Sequence, residues 1–192
     1  MTQYAVLKDT SALNAVRSIL AKMLSQKLVD AMLVAARTPY SALPMPTLIT
    51  AAERVADADP LAPVAPFNAA RQAASITSRP TGKRLALVLR PCEHRAWIEL
   101  VKLKQCTRED VVIIGIECFG RMENEIYLKH ISETSDLTSN FYRNADLQAN
   151  VSRTCGICEL FMPKGADLSI SLFGAPEDSV GIIAEGKSGE AL

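Results

Sequence analysis

Cysteine is the residue whose number and spacing in this chain could do chemistry. There are five, and four of them form a pattern. Cys92 stands in Arg90-Pro91-Cys92-Glu93 and Cys118 in Glu117-Cys118-Phe119-Gly120, while Cys155 and Cys158 form Cys155-Gly156-Ile157-Cys158. A two-residue gap lets both sulfurs face one metal centre from a single turn of chain. Two remote cysteines then complete a four-thiolate set, which suits either Zn²⁺ or an iron–sulfur cluster. Zinc sites usually combine two close-spaced couples, and here only one couple exists. The spacing therefore favours iron–sulfur, with a zinc-stabilised binding module lacking redox activity as the alternative. A thioredoxin-like dithiol ranks third, because such a motif opens a helix and Pro163 and Gly165 leave room only for a short one. Cys106 falls at the far end of the helix that follows Cys92, where a thiol is packing material and not a ligand.

The elements that must carry these thiols are legible nearby. Residues 84–90, Arg-Leu-Ala-Leu-Val-Leu-Arg, and 111–116, Val-Val-Ile-Ile-Gly-Ile, are apolar on both faces, as parallel strands covered by helices are. Between them residues 93–105 read as a helix, with Trp97, Leu100, Val101 and Leu103 on its buried side. A strand–helix–strand run of this kind forms a right-handed parallel crossover. Both strands then end at one rim of the sheet, the rim where ligands bind in open α/β folds. Cys92 and Cys118 each lie just beyond a strand, so they should meet there. Around Cys92, Arg90 and His94 are candidate hydrogen-bond donors to a bound cluster. Glu93 and Arg95 read as a solvated first helical turn, where Glu93 suits the positive helix end.

The rest of the chain supplies the frame. Leu13, Val16, Ile19, Leu20, Met23 and Leu24 recur at helical spacing over residues 11–27, with Thr10 or Ser11 as a cap. Residues 29–34 read as a short buried strand. Pro39, Pro44 and Pro46 should then break regular structure before a short strand at 47–50 and helical character at 50–56. Residues 57–66 hold Pro60, Pro63 and Pro66, which forbid a helix and make a stiff loop able to wall a pocket. Helical character resumes over 67–76. Residues 123–151 are polar and irregular with some helical character, long enough to carry the chain back over the rim. Residues 166–172 and 180–184 read as closing strands, with a turn at 174–178. The expected fold is α/β: one domain, 1–192, with a small partly parallel sheet, flanking helices and a β-α-β core bearing the four-cysteine site. Its N-terminal helix and strand part covers 1–80 and its thiol-bearing part 81–192.

Composition removes other classes. Lys plus Arg and Asp plus Glu number 21 each, so the 192-residue chain has no basic field for nucleic acid. Its N-terminus lacks a signal-peptide pattern and no apolar stretch is long enough to span a bilayer, so a cytoplasmic protein with no membrane span is expected. In that compartment cysteines serve metals or redox chemistry more often than disulfides.

At these residues the chain resembles the β-subunit family of coenzyme F420-reducing hydrogenases and formate dehydrogenases. Residues 20–34, with Lys27-Leu-Val-Asp-Ala-Met-Leu-Val34, are similar to that family's helix and strand entry, and residues 57–67 to its proline-containing loop. Pro91-Cys92, Cys118, Cys155-Gly-Ile-Cys158 and then Ala166-Asp167-Leu168-Ser169 follow its cysteine pattern in order and approximate spacing. The resemblance implies that Cys92, Cys118, Cys155 and Cys158 bind one [4Fe-4S] cluster, with or without an adjoining FAD. It implies an electron-transfer subunit of a hetero-oligomeric oxidoreductase, passing electrons between a flavin or deazaflavin and iron–sulfur or flavin-containing partners. Those partners would be a hydrogenase, a formate dehydrogenase or a heterodisulfide-reductase-like subunit. Two departures stand out: the chain has no glycine before Gly82, and its C-terminus at Leu192 is short relative to the family.

Overall fold

In a computed structural model, residues 2–134, 136–176, 178–185 and 189 are described. The chain runs β1 (Thr2–Lys8), α1 (Ala12–Ser25), β2 (Ala31–Thr38), β3 (Ser41–Ile49), a 3-10 turn (Ala52–Asp57), α2 (Ala70–Ile76), β4 (Leu85–Leu89) and α3 (Pro91–Lys102). It continues through β5 (Val111–Ile116), α4 (Asn124–Glu133), α5 (Leu137–Phe141), α6 (Ala145–Gln148), α7 (Arg153–Gly156), β6 (Leu168–Ser171) and β7 (Ser179–Glu185). The seven strands form one sheet in the order β1-β7-β6-β5-β4-β2-β3. The expected α/β architecture is therefore present, but only the centre of the sheet is parallel. Pairs β2–β4, β4–β5 and β5–β6 are parallel, whereas β1–β7, β6–β7 and β2–β3 are antiparallel.

Burial on both faces explains the parallel centre. Every residue of β4 and β5 is buried. Ala86, Val88, Val112, Ile114 and Ile116 face Val16, Leu20, Met23 and Leu24 of α1. Leu85, Leu87, Leu89, Val111 and Ile113 face α2 and α3, around Trp97. Trp97 is fully buried and its indole N–H donates to Thr77 Oγ1 at 3.2 Å, so its polar edge is satisfied. A third cluster joins Ala62 and Val64 of the proline loop to Met122, Tyr127, Leu137 and Phe141. Cys106 is buried in the second cluster, as a packing thiol should be.

Several local expectations change. β1 was not foreseen; it is a peripheral strand whose Tyr4 and Val6 stay exposed, so it carries little of the burial pattern that marks a strand. β3 runs straight through Pro44 and Pro46 instead of breaking at them. It lies at the sheet edge, where a missing N–H deprives no neighbour of a partner. β2 begins later and runs longer than residues 29–34. Leu103, expected on the buried side of α3, is 65% exposed because the helix ends at Lys102 and Leu103 caps it. The irregular stretch 123–151 contains three short helices. Met1, part of the expected 174–178 turn and the C-terminal Glu190, Ala191 and Leu192 lie outside the described residues. Among the described residues no helix is long and apolar enough to cross a membrane.

Two polar anchors and one glycine hold the sheet to the segment that follows the CxxC motif. The Asp167 carboxylate accepts the Ile113 backbone N–H at 2.7 Å and an Arg108 guanidinium N–H at 2.5 Å, tying the start of β6 to β5. The buried Glu117 carboxylate, just past β5, accepts the backbone N–H groups of Leu172 at 2.7 Å and Phe173 at 2.9 Å, and the Ser171 hydroxyl at 3.0 Å. At Gly115 an added Cβ would overlap the Pro163 ring and lie 3.0 Å from the Ala166 Cβ. Gly115→Ala should therefore cost about 1–3 kcal/mol by overpacking. It is read as a lower urea midpoint at unchanged m. Glu117→Ala, which strands the buried Leu172 N–H and the half-buried Phe173 N–H, should cost about 2–3 kcal/mol, and Glu117→Gln less.

Candidate metal centre

The site is built at the carboxyl rim of β4 and β5. Leu89 pairs with Gly115, so the two strands finish side by side. Beyond Leu89, Arg90 is extended and Pro91 opens α3, the position where a proline's fixed φ and missing N–H do no harm. Cys92 thus sits in the first turn of α3, one step further into the helix than the sequence suggested. Cys118 lies two residues past β5, and its backbone N–H donates to the Phe161 carbonyl at 3.0 Å.

The CxxC arm is delivered by backbone contacts. Met122 and Val151 form an antiparallel bridge, and the Ser152 N–H donates to the Arg121 carbonyl at 2.7 Å. Gly120, at φ +99°, lets the arm approach; a Cβ there would lie 3.0 Å from Val151 and 3.3 Å from the Cys155 Cβ. The Gly120 N–H points to the Cys118 sulfur at 3.4 Å. Within the motif, the Cys158 N–H donates to the Cys155 carbonyl at 3.1 Å, closing a tight turn after α7. Beyond it, an Arg95 guanidinium N–H donates to the Leu160 carbonyl at 3.2 Å. The arm is pinned to both the β5 exit and α3.

The consequence is one cavity of about 640 Å³ whose lining includes Cys92, Cys118, Cys155 and Cys158. All five cysteines are free thiols; Cys92 and Cys158 are exposed, Cys118 and Cys155 half-buried and Cys106 buried. Among the described residues no three Cys, His, Asp or Glu side chains approach closely enough to hold a single metal ion. The four thiols surround a space far larger than one ion. Ala65 and Pro66 line the same cavity, so the proline loop does wall a pocket. So do Phe119, Phe161 and Phe173, whose rings pack together at centroid distances of 4.1 Å (Phe119–Phe173) and 5.2 Å (Phe161–Phe173). These aromatics and Glu117 carried no periodicity that would mark them in advance; long-range packing alone brings them to the rim.

The first turn of α3 is drier than expected. Glu93 is buried, and its carboxylate accepts the Arg90 backbone N–H at 2.9 Å and the Ala69 N–H at 3.1 Å. It is a capping and loop-anchoring group, not a solvated one. His94 is also buried, with an unpartnered Nε2, and burial first, then Arg108, holds its basicity below the ordinary histidine value. Arg95 is exposed, as foreseen. Burial pushes the Cys92 thiol up, Glu93 and the neighbouring Cys118 add to that, and Arg90 opposes it. The free thiol is therefore held in its protonated form, and binding a metal group there must displace protons.

No protein-family profile matches the chain. It is 25% identical over 199 residues to the F420-dependent formate dehydrogenase subunit beta of Methanocaldococcus jannaschii, covering 91% of this chain and 52% of that protein. The chain thus spans about half the length of this curated relative. Its fold superposes on a chain of the F420-reducing [NiFe] hydrogenase complex from Methanosarcina barkeri, with a TM-score of 0.67, 14% identity, and coverage of 98% of this chain and 76% of that one. In sequence and in fold together, then, the chain is similar to the β-subunit family of F420-dependent formate dehydrogenases and F420-reducing hydrogenases.

Proposed function

We propose that this chain is an iron–sulfur electron-transfer subunit of a multi-subunit oxidoreductase, with Cys92, Cys118, Cys155 and Cys158 as the ligands of one [4Fe-4S] cluster. The observation that carries the reading is the convergence of four free thiols, from three separate stretches of chain, on one cavity of about 640 Å³. The residues fit such a group: the donor set is all thiol, the space exceeds a single ion, and Gly120 leaves the approach open where a Cβ would crowd Cys155. When bound, the cluster accepts and returns single electrons. The protein's part is to bring the four thiols to one cavity, to line it with the rings of Phe119, Phe161 and Phe173, and to place Arg90 and Glu93 at its wall.

The names of the relative and the structural neighbour support a formate dehydrogenase or hydrogenase assembly as the partner class; a heterodisulfide-reductase-like subunit is the third partner proposed, from the resemblance alone. FAD beside the cluster is the finer version of this reading, since a flavin takes two electrons and releases them singly. The cavity is wide enough to admit more than the cluster. A cytoplasmic single-domain subunit, with its ligands in 81–192, completes the proposal. The zinc-module alternative draws no support from the spread of the thiols, because a tetrahedral zinc site draws its sulfurs to about 2.3 Å from one ion.

Protein prepared without oxygen should be brown, bleach with dithionite and contain about four iron and four sulfide per chain. Cys155→Ser and Cys158→Ser should lose most of that iron, whereas Cys106→Ala should keep it, because Cys106 is buried beside Trp97 away from the cavity. A colourless protein carrying one zinc per chain overturns the reading. A yellow, fluorescent supernatant after denaturation establishes the flavin.

A further inference from the structure

Arg90 is a buried cation at the wall of this cavity, three residues before the buried carboxylate of Glu93. It is 9% exposed, and its guanidinium Nη2 donates to the Ala62 carbonyl and, at 2.9 Å, to the Val64 carbonyl of the proline loop. Nη1 has no partner, and among the described residues the guanidinium forms no ion pair. Taking such a charge out of water is costly unless something negative compensates it. Two neutral carbonyls hold it in place but leave its charge uncancelled. Arg90 also lines the cavity of the four cysteines and stands two residues before Cys92.

We propose that Arg90 is a positioning residue that sets the reduction potential of the group held by the four thiols: a fixed buried positive charge that favours its reduced form. The inference rests on the cluster reading. When a thiolate-bound [4Fe-4S] core takes one electron from a reduced flavin or partner cluster, its net charge becomes more negative by one unit; the donor loses that electron, and no bond forms or breaks in the protein. A positive charge at the cavity wall therefore stabilises the reduced core more than the oxidised one. A charge fixed at a partly enclosed wall couples to the group more strongly than one free in solvent. Net charge, hydrogen bonds to sulfur and burial are the levers by which proteins place cluster potentials.

Glu93 is the opposing charge at the same wall, but both of its oxygens are engaged by backbone N–H groups at the positive end of α3. Arg90 is held in turn by two loop carbonyls through Nη2, while its Nη1 is left unpartnered. Arginine suits this task because it keeps its proton in a dry site where lysine or histidine tends to lose it. The stiff loop at 57–66 fixes where the charge sits, since Arg90 is bonded to two of its carbonyls.

The test is the midpoint potential of the cluster-loaded protein, read by EPR during a dithionite titration, with iron and sulfide measured on each sample. Arg90→Gln should move the potential downward, and Glu93→Gln should move it upward. Arg90→Gln and unaltered protein titrating together, both fully loaded, overturn the inference while leaving the cluster reading intact. Unaltered protein without iron removes the cluster reading itself. If Arg90→Gln loses its cluster, Glu93→Gln decides: an upward shift supports a charge-set potential at this wall, and an unmoved potential overturns it.

Discussion

The structure depends on one pairing, the parallel alignment of β4 with β5. Both strands are buried on both faces, which forces helices onto each side and a crossover connection between them. Parallel alignment puts their carboxyl ends together. From that follows the proximity of the first turn of α3, with Cys92, to the loop after Ile116, with Cys118. An antiparallel pair would have sent the two thiols to opposite edges of the sheet. The thiol site is thus a consequence of strand direction before it is a consequence of any side-chain contact.

The remaining thiols cannot come from the sheet. They arrive on an excursion between β5 and β6 that leaves the rim, packs its short helices on the proline loop and returns. Backbone hydrogen bonds control the return: Ser152 N–H to the Arg121 carbonyl, Cys118 N–H to the Phe161 carbonyl, and Asp167 N–H to the Ile113 carbonyl at the start of β6. Such bonds are indifferent to side-chain identity. This is why the arm can be polar and irregular in sequence yet defined in position. Gly115 and Gly120 mark two places where chain passes close to chain.

What was legible in the sequence follows the same division. The central strands, α1, α3 and the meeting of Cys92 with Cys118 could be read, because long apolar runs and helical spacing report burial directly. The edges could not. β1 buries too little to announce itself, and Pro44 and Pro46 signal a break unless one knows that β3 has a free side. Glu93 was misread for a different reason: a glutamate in a first helical turn is usually wet, and only the approach of Ala69 from α2 closes it off. Local sequence encodes how much each segment must be buried, but not which distant segment arrives to bury it.

The site is consequently rigid on one side and soft on the other. Cys92 and Cys118 extend from elements that are buried and fully paired, and Arg90 and Glu93 tie the α3 end to the proline loop and to α2. Cys155 sits on a four-residue helix, α7, and Cys158 in the turn just after it, with Ile157 at 79% and Leu160 at 55% exposure. A helix that short has no stability of its own, since one turn fixes several residues for a single hydrogen bond. On the cluster reading, metal–thiolate bonds then join the soft half to the rigid half, and their free energy becomes ordering free energy for the arm. On that reading the sheet would supply two ligands already in place and the bound group would recruit the other two, making the cofactor a structural element of the rim.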